Sequence, residues 1–531
     1  MEWDYVVVGG GSAGCVAAAG LARDPSVTVA LLECGDRAED HPETLTADGY
    51  KQAFVNDALM HQRFSEPQPG IGGRRIFLGS GRGMGGSGSI NAMVYTRGAA
   101  EDFDAWGDGW RWRDVAPDFE RVEEVLRVRS RPATSFTETC IAAAEEAGFR
   151  RSEDLNDGDL SGVLGYETMS YEGDTRRSSY VAFIKDHPRD NLTVITGARA
   201  RELLVRDRTV EGVIYDRKGE RQTAKVRREV ILCAGALETP KLMMLSGIGP
   251  GEALRGQGIA VRHELREVGK NLQDHPNVTL FFLGGQTVDC RYPQLYGFHR
   301  VGESPQLAPK QADSCFVFYP ARSSFREGMM RMLPAMILPP KVHRAGTLPH
   351  LMRRGIAKAF DQLAVQRLVA RLYGIVVILG KPRSRGTLTL ASDDPAEPPC
   401  LDPAYLADPA DMETMVRGVS RARAIAAATP LRGWGNREVI PGGFGQGRKG
   451  TERFIRNNVM TTYHYAGTCR MGSDDASVVD RRLVVRGLRG LRVADASIMP
   501  VTPVSALNAP SMMIGYRAAR LCLEDARASA A

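Results

Sequence analysis

Residues 4–33 read DYVVVGGGSAGCVAAAGLARDPSVTVALLE, and this stretch decides the fold. The apolar run Tyr5 to Val8 predicts a strand covered on both faces by a parallel sheet. It runs into Gly9-Gly10-Gly11-Ser12-Ala13-Gly14, a G-x-G-x-x-G pattern with glycines at 9, 11 and 14. Cys15 to Arg23 then reads as an Ala-rich helix, and Val27 to Leu32 as a second apolar strand closed by Glu33. Gly9 permits the tight turn, Gly11 admits a pyrophosphate against the backbone, and Gly14 lets helix and strand pack closely. The unpaired N–H groups and positive dipole end of the helix favour that dianion. Glu33 stands 24 residues beyond Gly9, placed to accept both ribose hydroxyls of an adenosine and to repel a 2′-phosphate. The stretch therefore predicts an ADP-containing cofactor that is not NADP, and leaves NAD and FAD open.

A chain of 531 residues exceeds one ordinary core, so two or more domains are expected. Hydrophobic and charged fractions of 43% and 25% are those of a soluble globular protein. The net charge of +6 is small for this length, and no block of five like charges occurs. It would help attract an anionic substrate but is no nucleic-acid footprint. Nine scattered cysteines, with no C-x-x-C and no metal-ligand spacing, suggest reduced thiols in a cytosolic protein. The strand that begins at residue 4 leaves no room for a signal peptide, and no apolar run reaches the length of a membrane span. The expected location is cytoplasmic, without an integral membrane segment.

Further along, residues 35–73 are polar and proline-bearing, read as loop and short helix over the cofactor. Gly79 to Tyr95 is glycine-dense and then apolar, which suits wrapping phosphate or lying flat against a planar ring. A flexible linker would stay polar where Ile90 to Tyr95 does not. Glu138 to Ala147 ends a helical region, and Asn191 to Thr196 with Thr209 to Asp216 read as strands of a hairpin-rich piece. Val230 to Leu232 is another buried strand, and the small-residue turn Cys233 to Ala236 opens a helix over Thr239 to Ser246. Leu351 to Leu372 reads as one basic amphipathic helix, taken as a wall of a substrate domain, with a lipid-facing role the other reading. Leu388 to Ala391 is a strand and Asp411 to Ala427 a helix.

Near the C-terminus His464 lies between Tyr463 and Tyr465, and Leu491 to Ser497 is a short strand ending on Asp495. An acid there can accept from a ribityl hydroxyl or face phosphate through water. Pro503 to Pro510 leads into a helix over Ser511 to Glu524. Taken singly, His464 reads equally as a packed histidine, and Asn508 as an N-cap.

Four separated blocks together resemble the glucose–methanol–choline (GMC) family of FAD oxidoreductases, especially its choline-dehydrogenase-like branch. They are Val8 to Glu33, Gly83 to Tyr95, Gly235 to Pro240 with Leu245 to Pro250, and the His464/Asn508 segment. Asn271 to His275 and Ser384 to Gly386 also match; only about residues 285–375 and 125–140 fit poorly. The resemblance implies an α/β fold, with a Rossmann-like FAD domain and a second α+β substrate domain on an antiparallel sheet. The FAD domain would take residues 1–150, 190–280 and 455–531, and the substrate domain 151–189 and 281–454. His464 would be the base and Asn508 its partner at flavin N5. The cofactor would meet Gly9, Gly11, Ser12, Ala13, Gly14, Glu33 and Cys34, then Arg82, Gly83, Met84, Gly86 and Ser87. Asn91, Ala92, Met93 and Val94 would line the flavin ring, and Ala200 the adenine. Ala234, Gly235, Asp495, Ala496, Ser511 and Met512 complete the implied set. Ser89 precedes Ile90 near the place where covalent members carry a flavin-linking histidine, which implies noncovalent FAD.

The implied reaction is oxidation of an alcohol to a carbonyl, with O2 or another acceptor taking the electrons. Hydride leaves a carbinol carbon only as the hydroxyl proton departs, so a base belongs beside that oxygen. The alternative is a non-oxidising relative, a hydroxynitrile lyase or a fatty-acid photodecarboxylase; the basic, Met-rich 325–372 segment suits an acyl carboxylate. The sequence names no oligomeric state.

Overall fold

The first strand, β1 (Glu2–Val8), is buried at every position after its first. It lies between two parallel partners, β2 (Val29–Leu32) and the long strand Glu220–Leu232, with Val8 opposite both Leu32 and Leu232. Parallel strands covered on both faces need no polar alternation, which is why VVV and VALL occur here. The computed structural model describes residues 2–530. Its first sheet has seven strands, in the order Leu192–Ile195, β2, β1, Glu220–Leu232, Thr209–Arg217 and Arg199–Arg206; Leu491–Val493 pairs beside the C-terminal part of Glu220–Leu232.

Helix α1 (Ser12–Leu21) follows β1 and packs against the C-terminal helix Asn508–Ala530 through small residues. A Cβ on Gly14 would stand 1.8 Å from the Gly9 carbonyl oxygen, and one on Gly515 would stand 2.2 Å from that of Ala13. Both obstacles are backbone, so neither can rotate away. Gly14→Ala is therefore expected to destabilise the protein by at least the upper end of the usual 1–3 kcal/mol overpacking range, about 3 kcal/mol, read as a lowered melting temperature. A variant melting with the wild type would refute this packing.

The second sheet has eight strands and runs Arg437–Ile440, Pro276–Leu283, Leu372–Leu379, Ser314–Pro320, Leu295–His299, Val163–Tyr166 and Arg150–Ser152, with Met460–Thr461 beside Pro276–Leu283. Its pairings are antiparallel except that between Arg150–Ser152 and Val163–Tyr166. Helix Pro409–Ala427 covers one face, with Gly418 against Val377. The fold is thus the expected α/β arrangement of a Rossmann-type sheet and an α+β unit.

Two local expectations are corrected. Leu192–Ile195 is no hairpin strand: it is the edge of the first sheet, parallel to β2. Its Thr193 and Val194 are exposed, so it lacks the continuous burial of the central parallel strands. Leu351 to Leu372 is not one helix either. Helices Thr347–Phe360 and Leu363–Val369 are separated at Gln362, whose backbone is extended (φ −72°, ψ 130°). Leu372 opens the strand Leu372–Leu379, because the apolar run that follows completes the antiparallel sheet.

Candidate active site

A cavity of about 890 Å³ is lined from both sheets: Val8, Leu32 and Cys233 on one side, Tyr296, Val317 and Ile378 on the other. Strand ends converge where β1 feeds α1, so the loops after the strands form its floor, the place where open α/β sheets bind ligands.

At this end Gly9, Gly11, Ser12 and Ala13 line the cavity, with the first-turn N–H groups of α1 unpaired within the helix. The glycine-dense loop comes down on top: a Cβ on Gly86 would stand 2.8 Å from the Gly11 Cα. Glu33 joins the two loops. Its carboxylate accepts backbone N–H groups from Gly10 at 2.8 Å, Gly35 at 2.8 Å and Gly83 at 3.0 Å, and still borders the cavity. Such a cradle of glycine backbone and carboxylate fits an adenosine diphosphate.

Cys34, Arg82, Gly86, Ser87, Asn91, Ala92, Val94, Ala200, Ala234, Gly235, Ala496 and Ser511 also line the cavity. Asp495 does too, but its oxygens are engaged: Oδ2 accepts from Gly235 N at 2.9 Å and Thr239 Oγ1 at 2.6 Å, and Oδ1 from Ser497 N at 2.8 Å. Burial raises its carboxyl pKa. Gly14, Gly83, Met84, Met93 and Met512 do not line the cavity. Gly14 packs against Gly9, Gly83 serves Glu33, and the three methionines are buried core.

The Asn91 turn is held by a residue that sequence reasoning missed. Arg176 is fully buried and donates to Gly88 O at 3.0 Å, Asn91 Oδ1 at 2.8 Å and Asn91 O at 2.6 Å. Asn91 Oδ1 in turn accepts from Met93 N at 2.9 Å, and Met93 takes a left-handed φ of 67°. Nothing in the TRRSS context marks this arginine, because its partners are carbonyls 85 and 88 residues earlier.

His464 lines the cavity as well, together with its chain neighbours Tyr463 and Tyr465. Tyr463 has a left-handed φ of 63°, a strained backbone that turns the next side chain toward the cavity. The His464 backbone N–H donates to Asp274 Oδ1 at 2.8 Å, while Asp274 Oδ2 accepts from Tyr405. Burial pushes the Asp274 carboxyl up to about 6. His464 Nδ1 is 3.1 Å from Thr462 Oγ1 and 3.0 Å from His275 Nδ1. Thr462 gives its own hydroxyl proton to His275 O at 2.7 Å, so toward His464 it only accepts. That favours the tautomer with the proton on His464 Nδ1, and among the described residues no hydrogen bond occupies Nε2. Burial lowers the His464 pKa to about 4, which keeps the ring neutral at physiological pH. The pKa of buried His275 is also held well below the usual histidine range, by burial and then by His464 and Lys381. Both His275 and Asp274 lie in the Asn271–His275 block noted from sequence; their contact with His464 was not legible there.

Asn508 opens the C-terminal helix. Its Oδ1 accepts from Ser12 Oγ at 2.6 Å, leaving Nδ2 as its free donor. The cavity walls also include the apolar or aromatic side chains Tyr50, Phe54, Ile90, Tyr296, Val317 and Tyr319. Among the described residues the three acids lining the cavity are all engaged, Glu33 and Asp495 as described and Glu238 by Arg63 and by Lys241 at 3.7 Å. Burial opposes charge on Glu238, but those two cations outweigh it and hold its pKa at about 2. Among the described residues no cluster of ligands suits a metal ion.

Comparison with known proteins agrees over nearly the full length. An alcohol dehydrogenase [acceptor] of Pseudomonas putida is 35% identical, with 98% of this chain and 95% of that protein aligned. An oxygen-dependent choline dehydrogenase of Burkholderia lata is 31% identical over 98% and 93%. Among solved structures, pyridoxine 4-oxidase from Mesorbium loti superposes with a TM-score of 0.82 at 26% identity, covering 97% of this chain and 98% of that one. Formate oxidase shares the fold with a TM-score of 0.84 at 23% identity, covering 99% of each chain. The N-terminal GMC oxidoreductase model matches residues 3–277 and the C-terminal one residues 382–515, so this chain belongs to the GMC oxidoreductase family, whose cofactor is FAD.

Proposed function

We propose that the chain oxidises an uncharged, largely apolar alcohol to its carbonyl, with His464 as base and Asn508 as hydrogen-bond donor. The observation that carries this reading is the bare Nε2 of a neutral, buried imidazole at an apolar cavity wall. His464 takes the hydroxyl proton there. Asn508 Nδ2 donates to the alkoxide left behind, a preorganised donor worth a few kcal/mol in such sites. Bound FAD supplies the hydride acceptor. Gly11, Ser12 and Ala13 would hold its pyrophosphate, Glu33 its ribose, and the Asn91–Val94 turn, steadied by Arg176, its ring. We assign FAD binding to residues 1–150, 190–280 and 455–531 and the alcohol to 151–189 and 281–454, with strand Pro276–Leu283 joining the halves. FAD is held without a covalent link, since Ser89 donates its hydroxyl to Met84 O at 3.0 Å and stands where covalent members carry a histidine nearby.

The substrate class follows from the walls. Among the described residues no unpaired carboxylate lines the cavity to await a quaternary ammonium, and Arg344 in its wall disfavours one. Anaerobic mixing with a panel of alcohols is expected to bleach the flavin with medium-chain aliphatic or aryl alcohols, and to leave it oxidised with choline. Rapid bleaching by choline alone would overturn the substrate class; a flavin that no alcohol reduces would overturn the reaction.

A further inference from the structure

The helices Phe325–Ile337, Pro340–Arg344, Thr347–Phe360 and Leu363–Val369 form a segment between two strands of the antiparallel sheet, where the family models leave residues 278–381 unmatched. Its inner face is clamped. Asp57 pairs with buried Arg331 at 2.5 Å and buried Arg353 at 2.8 Å, and Arg331 Nε donates to Phe54 O at 2.8 Å. The outer face is unlike the rest of the molecule. Seven of the ten exposed large apolar side chains among the described residues lie here, including Ile337 at 60%, Leu351 at 63%, Leu363 at 69% and Leu368 at 52% exposure. Residues 325–371 carry nine Lys and Arg against two acids, an excess of seven where the whole chain has +6. Lys341, Arg344, Arg354, Lys358 and Arg367 are exposed, and none has an ion-pair partner among the described residues. Leu348, Leu351, Arg354 and Lys358 recur at three- and four-residue spacing, so leucines and cations share one helix face.

We propose that this face docks on a bilayer carrying anionic headgroups, with the leucines entering the interface and the cations pairing with phosphates. Charge complementarity selects the occupant. A second copy of the chain would set the same positive excess against itself, whereas an anionic membrane attracts each cation near its surface and admits the leucines that water disfavours. Among the described residues no helix is long and apolar enough to cross the bilayer, so the contact is interfacial. Gly328 and Arg344 belong both to this segment and to the cavity wall, so docking brings the cavity mouth to the headgroups, where apolar alcohols partition. The inference stands apart from the oxidation proposed above, because vesicle binding is read without turnover.

The test is cosedimentation of the flavinated enzyme with vesicles of phosphatidylcholine alone or of phosphatidylcholine with an equal part of phosphatidylglycerol. Pelleting with the anionic vesicles only, weakened by added salt, is expected. Arg354→Glu combined with Lys358→Glu and Arg367→Glu should cut the pelleted fraction roughly tenfold or more while the yellow, folded flavoprotein persists. Leu351→Gln with Leu363→Gln should reduce it as well. Supernatant protein in both vesicle types would overturn the proposal, as would pelleting of the charge-reversed variant at the wild-type level. So would a wild-type dimer that the leucine variant dissociates.

Discussion

His464→Ala is expected to slow anaerobic flavin reduction by a saturating alcohol by about two orders of magnitude or more while FAD stays bound. The imidazole borders the cavity, and its Nδ1 contacts with Thr462 and His275 favour the tautomer whose Nε2 carries no proton. Stopped-flow absorbance reads the rate, and the flavin-to-protein ratio separates lost chemistry from lost cofactor. Reduction at the wild-type rate would remove His464 from the role of base. Its pH dependence follows in sign: with a pKa near 4, His464 remains a base throughout the neutral range, and the reductive rate falls only as acid approaches that value. Stability follows the same proton. Between the ordinary histidine value of 6.5 and about 4 the unfolded chain binds a proton that the native ring refuses. That contribution is therefore full above 6.5 and is lost as pH falls through the window.

Glu33→Ala is expected to purify largely without flavin and to melt well below the wild type. The carboxylate does two things at once. It gathers three backbone N–H groups from three separate loops, and it faces the cavity where an adenosine ribose would sit. Removing it strands buried donors, each at a cost of roughly 1–3 kcal/mol, and removes the ribose acceptor. Glu33→Gln keeps one acceptor oxygen and should fall between. Flavin absorbance against protein content measures retention, and thermal melting of the apoproteins isolates the structural share. A fully flavinated Glu33→Ala protein of wild-type stability would dismiss both roles.

Much of this was legible in residues 4–33, because strand, turn, helix and strand there are set by local rules: apolar runs for buried parallel strands, glycines for close approach, an acid at a strand end. The glycine-dense loop and the His464 and Asn508 segments were legible through resemblance. The edge strand Leu192–Ile195 was misread, since a parallel partner 163 residues away leaves no trace in a short, half-exposed strand. The segment 351–372 was read as one helix because periodicity does not tell a basic helix followed by an apolar strand from a longer helix.

The amino-acid sequence by itself therefore determined the dinucleotide cradle and the family, and named the two polar groups proposed for the site, because each rests on neighbours in the chain or on blocks long enough to recognise. Only the tertiary structure decided how that site is tuned. The proton on His464 is placed by Thr462 and by His275 from another strand region, the Asn91 turn is held by a buried arginine 85 residues away, and the basic face of 325–371 is turned outward by one aspartate gripping two arginines from the far side. Apart from Thr462, two residues from His464, those are contacts across long chain separations, whose energies depend on burial and direction that no local pattern encodes.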